Sequence, residues 1–168
     1  MKFAFVFLAS LFLSVAGAQT VEAQTRTIRH PEAGSPALTV EVPDGWTSTI
    51  DDSNNLILAS PTRTVAFSLS VIADEPVQRT LDGFAREVLT AAKAHGVQAP
   101  SEDMLPPYPG ATYIGKLDVG DVSVDLKMLV VKFDANSFAS ATMITGTSAT
   151  VEQKAVGGMV LKTVRVVR

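Results

Sequence analysis

Residues 121–133 read DVSVDLKMLVVKF. Val122, Val124, Leu126, Met128 and Val130 take every second position, with Asp121, Ser123, Asp125 and Lys127 between them. Side chains alternate faces along a strand, so this is a strand with one apolar face and one mostly wet face. From Leu129 the apolar residues become continuous. That change predicts that the second face also becomes covered part-way along. The stretch is read as the central strand of an antiparallel sheet on which the other elements pack.

Working outward, Ala111 to Val119 is its hairpin partner, with Gly120-Asp121 in a tight turn between them. Asp134 to Ser137 makes the next turn, and Phe138 to Thr145 is a strand of small residues on both faces, as close packing from above and below would need. Upstream, Leu38 to Val42 alternates as a strand, Pro43-Asp44-Gly45-Trp46 turns, and Thr47 to Ile50 continues as a strand. Asp51 to Asn55 is turn chemistry, because Asp and Asn side chains bond their own backbone and tolerate positive φ. Leu56 to Ala59 and Val65 to Ile72 are strands separated by the turn at Pro61-Thr62-Arg63, with Val65, Phe67, Leu69 and Val71 on one face. Thr25 to His30 is a polar lead-in, read as an edge strand, which Pro31 to Pro36 breaks.

Two helices complete the pattern. Thr80 is an N-cap with Asp82 in the first turn, where an anion suits the helix dipole. Leu81, Phe84, Ala85, Val88, Leu89 and Ala92 form one apolar stripe, and Gly96 is expected to end the helix. Thr150 and Gln153 form a capping box for a second helix, lined by Val151, Ala155, Val156, Met159, Val160 and Thr163. Gly157-Gly158 inside it implies a close approach to the sheet, or a break. Gln98 to Gly110, with four prolines, reads as a connection holding a short strand around Met104, and Val164 to Arg168 as the exit. The expected fold is α+β: an antiparallel sheet of six to seven strands covered by two main helices.

The chain has 168 residues, enough for one domain that needs no disulfide or metal staple. A net charge of −3 argues against a nucleic-acid footprint. Cysteine is absent, which removes thiol catalysis, disulfides and Cys-based metal sites together. Lys2, then the apolar run Phe3 to Val15, then Ala16-Gly17-Ala18, has the form of a secretory signal peptide. Cleavage is expected before Gln19, with a second candidate cut after Ala23, leaving residues 19–168 as a single domain. The run is shorter than the ~20 residues a membrane span needs, so no stable membrane anchor is expected.

The order of elements resembles the PsbP-like α/β/α sandwich superfamily, which includes a eukaryotic Ran-binding protein and small exported bacterial proteins. The residues that carry the resemblance are Val42-Pro43-Asp44-Gly45-Trp46, Thr80-Leu81-Asp82-Gly83-Phe84-Ala85, Pro109-Gly110-Ala111 and Thr163-Val164-Arg165. It covers residues 26–168 as a pattern. It implies the sandwich fold and an accessory or binding role without catalysis, and it supplies no catalytic residue to transfer. Neither a Ran-binding nor a photosystem-specific signature is identified.

Trp46, Tyr108 and Tyr113 are the candidate ligand- or partner-contacting side chains. For Trp46 the alternative is a core anchor beside a glycine turn. For Pro106-Pro107-Tyr108-Pro109 the alternative to a polyproline ligand is a stiff connector. Asp51, Asp52 and Asn54 offer oxygen ligands suited to calcium but lack a downstream bidentate Glu, so an ordinary hairpin turn is favoured. His30 and His95 are the only histidines, the second placed at a helix C-terminus. Ser140 between two alanines reads as strand packing, and the adjacent Glu102 and Asp103 point apart in a strand. No G-x-S-x-G, S-x-x-K or H-E-x-x-H motif is present. No cofactor and no metal is therefore expected. The sequence favours binding over chemistry: an exported, non-catalytic accessory or protein-binding domain, periplasmic or secreted, whose partner is an unidentified envelope protein. The alternatives are a carrier with an apolar pocket between a helix and the sheet, and a hydrolase-type enzyme without a recognisable motif.

Overall fold

A computed structural model describes residues 24–73 and 79–167. The expected signal peptide and both cleavage sites lie outside the described residues. The strands are β1 (Thr25–His30), β2 (Ala37–Pro43), β3 (Thr47–Ile50), β4 (Leu56–Ala59), β5 (Val65–Ile72), β6 (Ser101–Leu105), β7 (Tyr108–Val119), β8 (Val122–Asp134), β9 (Ser137–Thr145) and β10 (Arg165–Val167). The helices are α1 (Leu81–Ala91) and α2 (Val151–Thr163). The fold is α+β.

Seven strands form one sheet in the order β3-β4-β5-β9-β8-β7-β6, and β1, β2 and β10 form a second, smaller sheet. Every pairing is antiparallel. The opening stretch is β8, near the middle of the large sheet, and its pattern is explained by two cores. Val124, Leu126, Met128 and Val130 face α1, against Phe84, Ala85, Val88 and Leu89. Phe84 stacks on Phe138 with ring centroids 4.6 Å apart. Leu129, Val131 and Phe133 face the other way, into a core shared with Leu38, Val40 and Val42 of the small sheet and Val160 and Leu161 of α2. The alternation stops at Leu129 because the second layer begins there. Asp125 and Lys127 lie short of that cover.

The structure corrects four details. The second face of the sheet is covered by the small sheet together with α2, so the last residues are a strand, β10, paired with β2. The proline-rich connection is a hairpin: Pro106-Pro107 is the turn between β6 and β7. Helix α1 ends at Ala91, with Lys93 at φ 56° taking the left-handed role assigned to Gly96. On α2 the buried residues are Gly157, Val160 and Leu161, while Val151 and Met159 are exposed.

That last difference has a physical cause. A Cβ on Gly157 would sit 2.9 Å from Val65 Cγ1 and 3.2 Å from Met143 Sδ, so α2 lies on the sheet through a bare backbone. The close approach expected of the glycine pair is made at Gly157. Of the expected stripe Val160 is buried and Val156 packs on the core, and because a glycine carries no hydropathy signal the larger residues alone drew Val151 and Met159 onto the wrong face. The capping box forms as expected: Thr150 Oγ1 accepts from Gln153 N at 3.2 Å, and Gln153 Oε1 accepts from Thr150 N at 2.8 Å. The Gln153 amide also bonds Thr62 and Thr64, pinning α2 to the β4–β5 turn.

Candidate functional site

β1 and β3 are edge strands of different sheets, each paired on one side only. They border an open groove of about 680 Å³. Residues 26–32 line one side of it and residues 48–50 the other, each as an unbroken run. Successive strand residues point to opposite faces, so a run of neighbours lines a groove only where the edge of the strand faces it. An edge of this kind presents unpaired backbone N–H and C=O groups.

Arg26, Ile28 and His30 share the inward face of β1 and span the gap between the sheets. Arg26 Nη2 donates to the Trp46 carbonyl at 3.1 Å and to Ser48 Oγ at 3.2 Å. His30 is buried, and its Nε2 donates to the Asn54 carbonyl at 2.8 Å. Ile28 packs on the core between them. Arg29, on the outer face, donates to the carbonyls of Pro31 and Glu32 at 2.7 and 2.9 Å and to that of Gly34, which fixes the 31–36 loop. Neither guanidinium meets a carboxylate among the described residues. Ile50 stands 54% exposed at the rim.

A second, smaller cavity of about 260 Å³ lies between the C-terminal half of α2 and the large sheet. It sits at the limit of the cover noted above, with Lys127 and Leu129 of β8 both in its wall.

The three aromatic candidates lie in or against the core, outside the linings of both cavities. Trp46 is buried with its ring 5.9 Å from that of Phe67. Tyr108 is partly buried, 5.8 Å from the Phe133 ring. Tyr113 is buried under α1, and its hydroxyl donates to Asp82 Oδ1 at 3.2 Å.

The other candidates do not converge. His30 is on β1, whereas His95 follows α1, bridges to Lys116 and bonds Asp118 Oδ1 at 3.0 Å. Ser140 Oγ shares a 2.8 Å hydrogen bond with Ser70 Oγ on the neighbouring strand. Asp51 is an Asx turn: its Oδ1 accepts from the Ser53 and Asn55 amides at 2.9 and 2.8 Å. Asn54 is left-handed at φ 59°, as a hairpin turn requires. Among the described residues no group of three or more His, Cys, Asp or Glu is arranged to hold a metal ion.

The perturbed titrating groups are each explained by local hydrogen bonds, burial or a neighbouring charge. The Arg86 hydrogen bond at 2.7 Å holds the Asp82 carboxyl below its ordinary value. Burial pushes the Tyr113 hydroxyl up, and the Asp82 charge adds to it. The His95 hydrogen bond lowers Asp118. Asp103 is pushed up by burial, but hydrogen bonds from Thr112 and the Met104 amide, with the Lys127 charge, outweigh this and lower it.

Of the residues that build the groove, only His30 and Asn54 were singled out from the sequence, neither of them for this role. The alternation of Arg26, Ile28 and His30 was the available signal for an inward row on β1. Nothing in the sequence places that row opposite β3.

With a large antiparallel sheet, a helix on one face, and a small sheet with a second helix on the other, the chain can be compared with solved structures. It is similar to the solution structure of cyanobacterial PsbP (CyanoP) from Synechocystis sp. PCC 6803, with a TM-score of 0.58 at 14% identity over 92% of this chain and 99% of that one. The fold is PsbP-like. A crystal structure from Bacteroides thetaiotaomicron is also similar, with a TM-score of 0.51 at 12% identity over 78% of this chain and 45% of that one. LpqN of Mycobacterium tuberculosis, described as involved in cell envelope biogenesis, gives 0.45 at 15% identity over 88% and 93%. No protein-family model matches the sequence, and no curated protein matches it. Among the described residues no helix is long and apolar enough to cross a membrane.

Proposed function

We propose that this chain is an exported, non-catalytic accessory domain that holds an extended segment of an envelope protein in the groove between β1 and β3. The observation that carries the reading is the pair of strand edges facing one open space. A bound segment would complete the backbone hydrogen bonding of either edge, the usual mode of strand addition. At strand spacings of roughly 3.3, 4.8 and 10 Å a residue fills about 160 Å³, so the groove has room for about four residues. β3 is four residues long, so lengths match. The Arg26 guanidinium, which meets no carboxylate among the described residues, favours a segment that carries one. Export is supported by the apolar N-terminal run followed by small residues.

A photoreactive residue placed at Ile50, with Val151 as an exposed control on α2, tests the reading in cells that make the protein. The expected result is a discrete adduct from position 50 that position 151 does not give. With the captured partner added to purified protein, the amides of β1 and β3 should exchange more slowly. Identical adducts from both positions, or unchanged exchange in β1 and β3, would refute it.

A further inference from the structure

We infer that the cavity under the C-terminal half of α2 binds a small amphipathic anion, a compact apolar body carrying a carboxylate or similar group. This does not rest on the groove described above. The walls are apolar: Leu129 and Met143 from the sheet, Leu161 and Val164 from the end of α2, and Met104 at the mouth. Methionine side chains adapt to the shape of what they enclose. The rim is cationic. Lys127, Lys162 and Arg165 line it against one acid, Asp103, in a chain whose net charge is −3.

The four charges are not equivalent. Asp103 is already occupied, accepting from Thr112 Oγ1 at 2.7 Å and the Met104 amide at 2.9 Å, with Lys127 as its electrostatic neighbour. The Arg165 guanidinium is held in place by the carbonyls of Lys162 and Val164, at 2.6 and 2.8 Å. The Lys162 ammonium has no acidic partner among the described residues. An anion entering over the apolar wall would therefore meet an unneutralised rim.

Gly158 supports the same reading. A Cβ there would meet nothing within 4 Å, in contrast to its neighbour Gly157. Packing does not require a glycine at 158, and glycine weakens a helix interior. Its effect is to keep the helix side of the cavity open. At about 30 Å³ per water-sized volume, 260 Å³ accommodates roughly nine non-hydrogen atoms, close to the size of octanoate.

The test is a titration of the whole mature protein with sodium octanoate, followed by the methyl resonances of methionine. Saturable shifts are expected at Met104 and Met143, with none at Met128, buried on the α1 side, or Met159, exposed on the outer face of α2. The neutral analogue 1-octanol should bind at least about fivefold more weakly, and Lys162→Glu should weaken octanoate several-fold. Gly158→Leu fills the opening with a good helix former, so it should abolish binding while the protein stays folded. No saturable shift at Met104 and Met143 would overturn the proposal. Unchanged affinity in Gly158→Leu would overturn the location, and equal affinity for octanol with no effect of Lys162→Glu would overturn the anionic class.

Discussion

Adding one methyl group at each of two neighbouring glycines of α2 should move stability in opposite directions. At Gly158 the new Cβ meets nothing within 4 Å, so Gly158→Ala gains helix propensity alone, about 1 kcal/mol. At Gly157 the same gain is opposed. The Cβ arrives 2.9 Å from Val65 Cγ1 and 3.2 Å from Met143 Sδ. The methionine sulfur can swing aside. Val65 is fully buried and β-branched, so its rotamer is stiff and either it or the helix must shift. Overpacking of this kind costs roughly 1–3 kcal/mol, leaving Gly157→Ala about 0–2 kcal/mol less stable than the parent protein. The two variants should then differ by about 1–3 kcal/mol, or several degrees in Tm at ~2–4 °C per kcal/mol. Urea and thermal unfolding followed by the fluorescence of Trp46, the one tryptophan and buried, reads this directly. If Gly157→Ala is as stable as Gly158→Ala, α2 is not seated on the sheet through Gly157. A loss in Gly158→Ala would show that its Cβ position is not open.

Three further outcomes follow from the same coordinates. Gly110→Ala should be severely destabilising, by about 3 kcal/mol or more, because its Cβ would lie 2.2 Å from the Val130 carbonyl oxygen and backbone cannot step aside as a side chain can; near-parental unfolding would contradict the β7–β8 geometry. Thr150→Ala should cost about 1 kcal/mol as a lost N-cap, and Gln153→Ala more, since its amide also bonds Thr62 and Thr64; the reverse order in a denaturant series would count against the pinning of α2. For Asp103 the folded carboxyl is held below its ordinary value, so its stabilisation is present above the unfolded value of about 4 and is lost as pH falls through the folded one. The parent should exceed Asp103→Asn in stability at neutral pH, with the difference shrinking in acid; a difference independent of pH would refute the assignment.

How much of the molecule was legible depended on whether a residue's environment is reported by its own neighbours in sequence. Alternation in β8 encodes what lies above and below each position, so the strand, its hairpin with β7, and the point at Leu129 where the second layer begins could all be read. The stripe of α1 worked for the same reason, since Phe84, Val88 and Leu89 are large enough to mark the buried face. β10 did not, because three residues are too few to show a period. On α2 the glycine pair marked the close approach to the sheet, which is made at Gly157, but the stripe of larger residues placed Val151 and Met159 inward, because Gly157 has no side chain to register the buried face.

The sequence by itself determined an antiparallel α+β domain and the order of its elements, because hydrophobic period and turn chemistry are local properties; the likeness to the PsbP-like sandwich was a resemblance of that order. Only the tertiary structure decided where the openings fall. The groove exists because β1 and β3 end two different sheets side by side, with Arg26 reaching across to the Trp46 carbonyl. The cavity under α2 exists because the helix stops covering the sheet between Leu129 and Lys127. Both are gaps between elements distant along the chain, and a gap has no residue of its own to announce it.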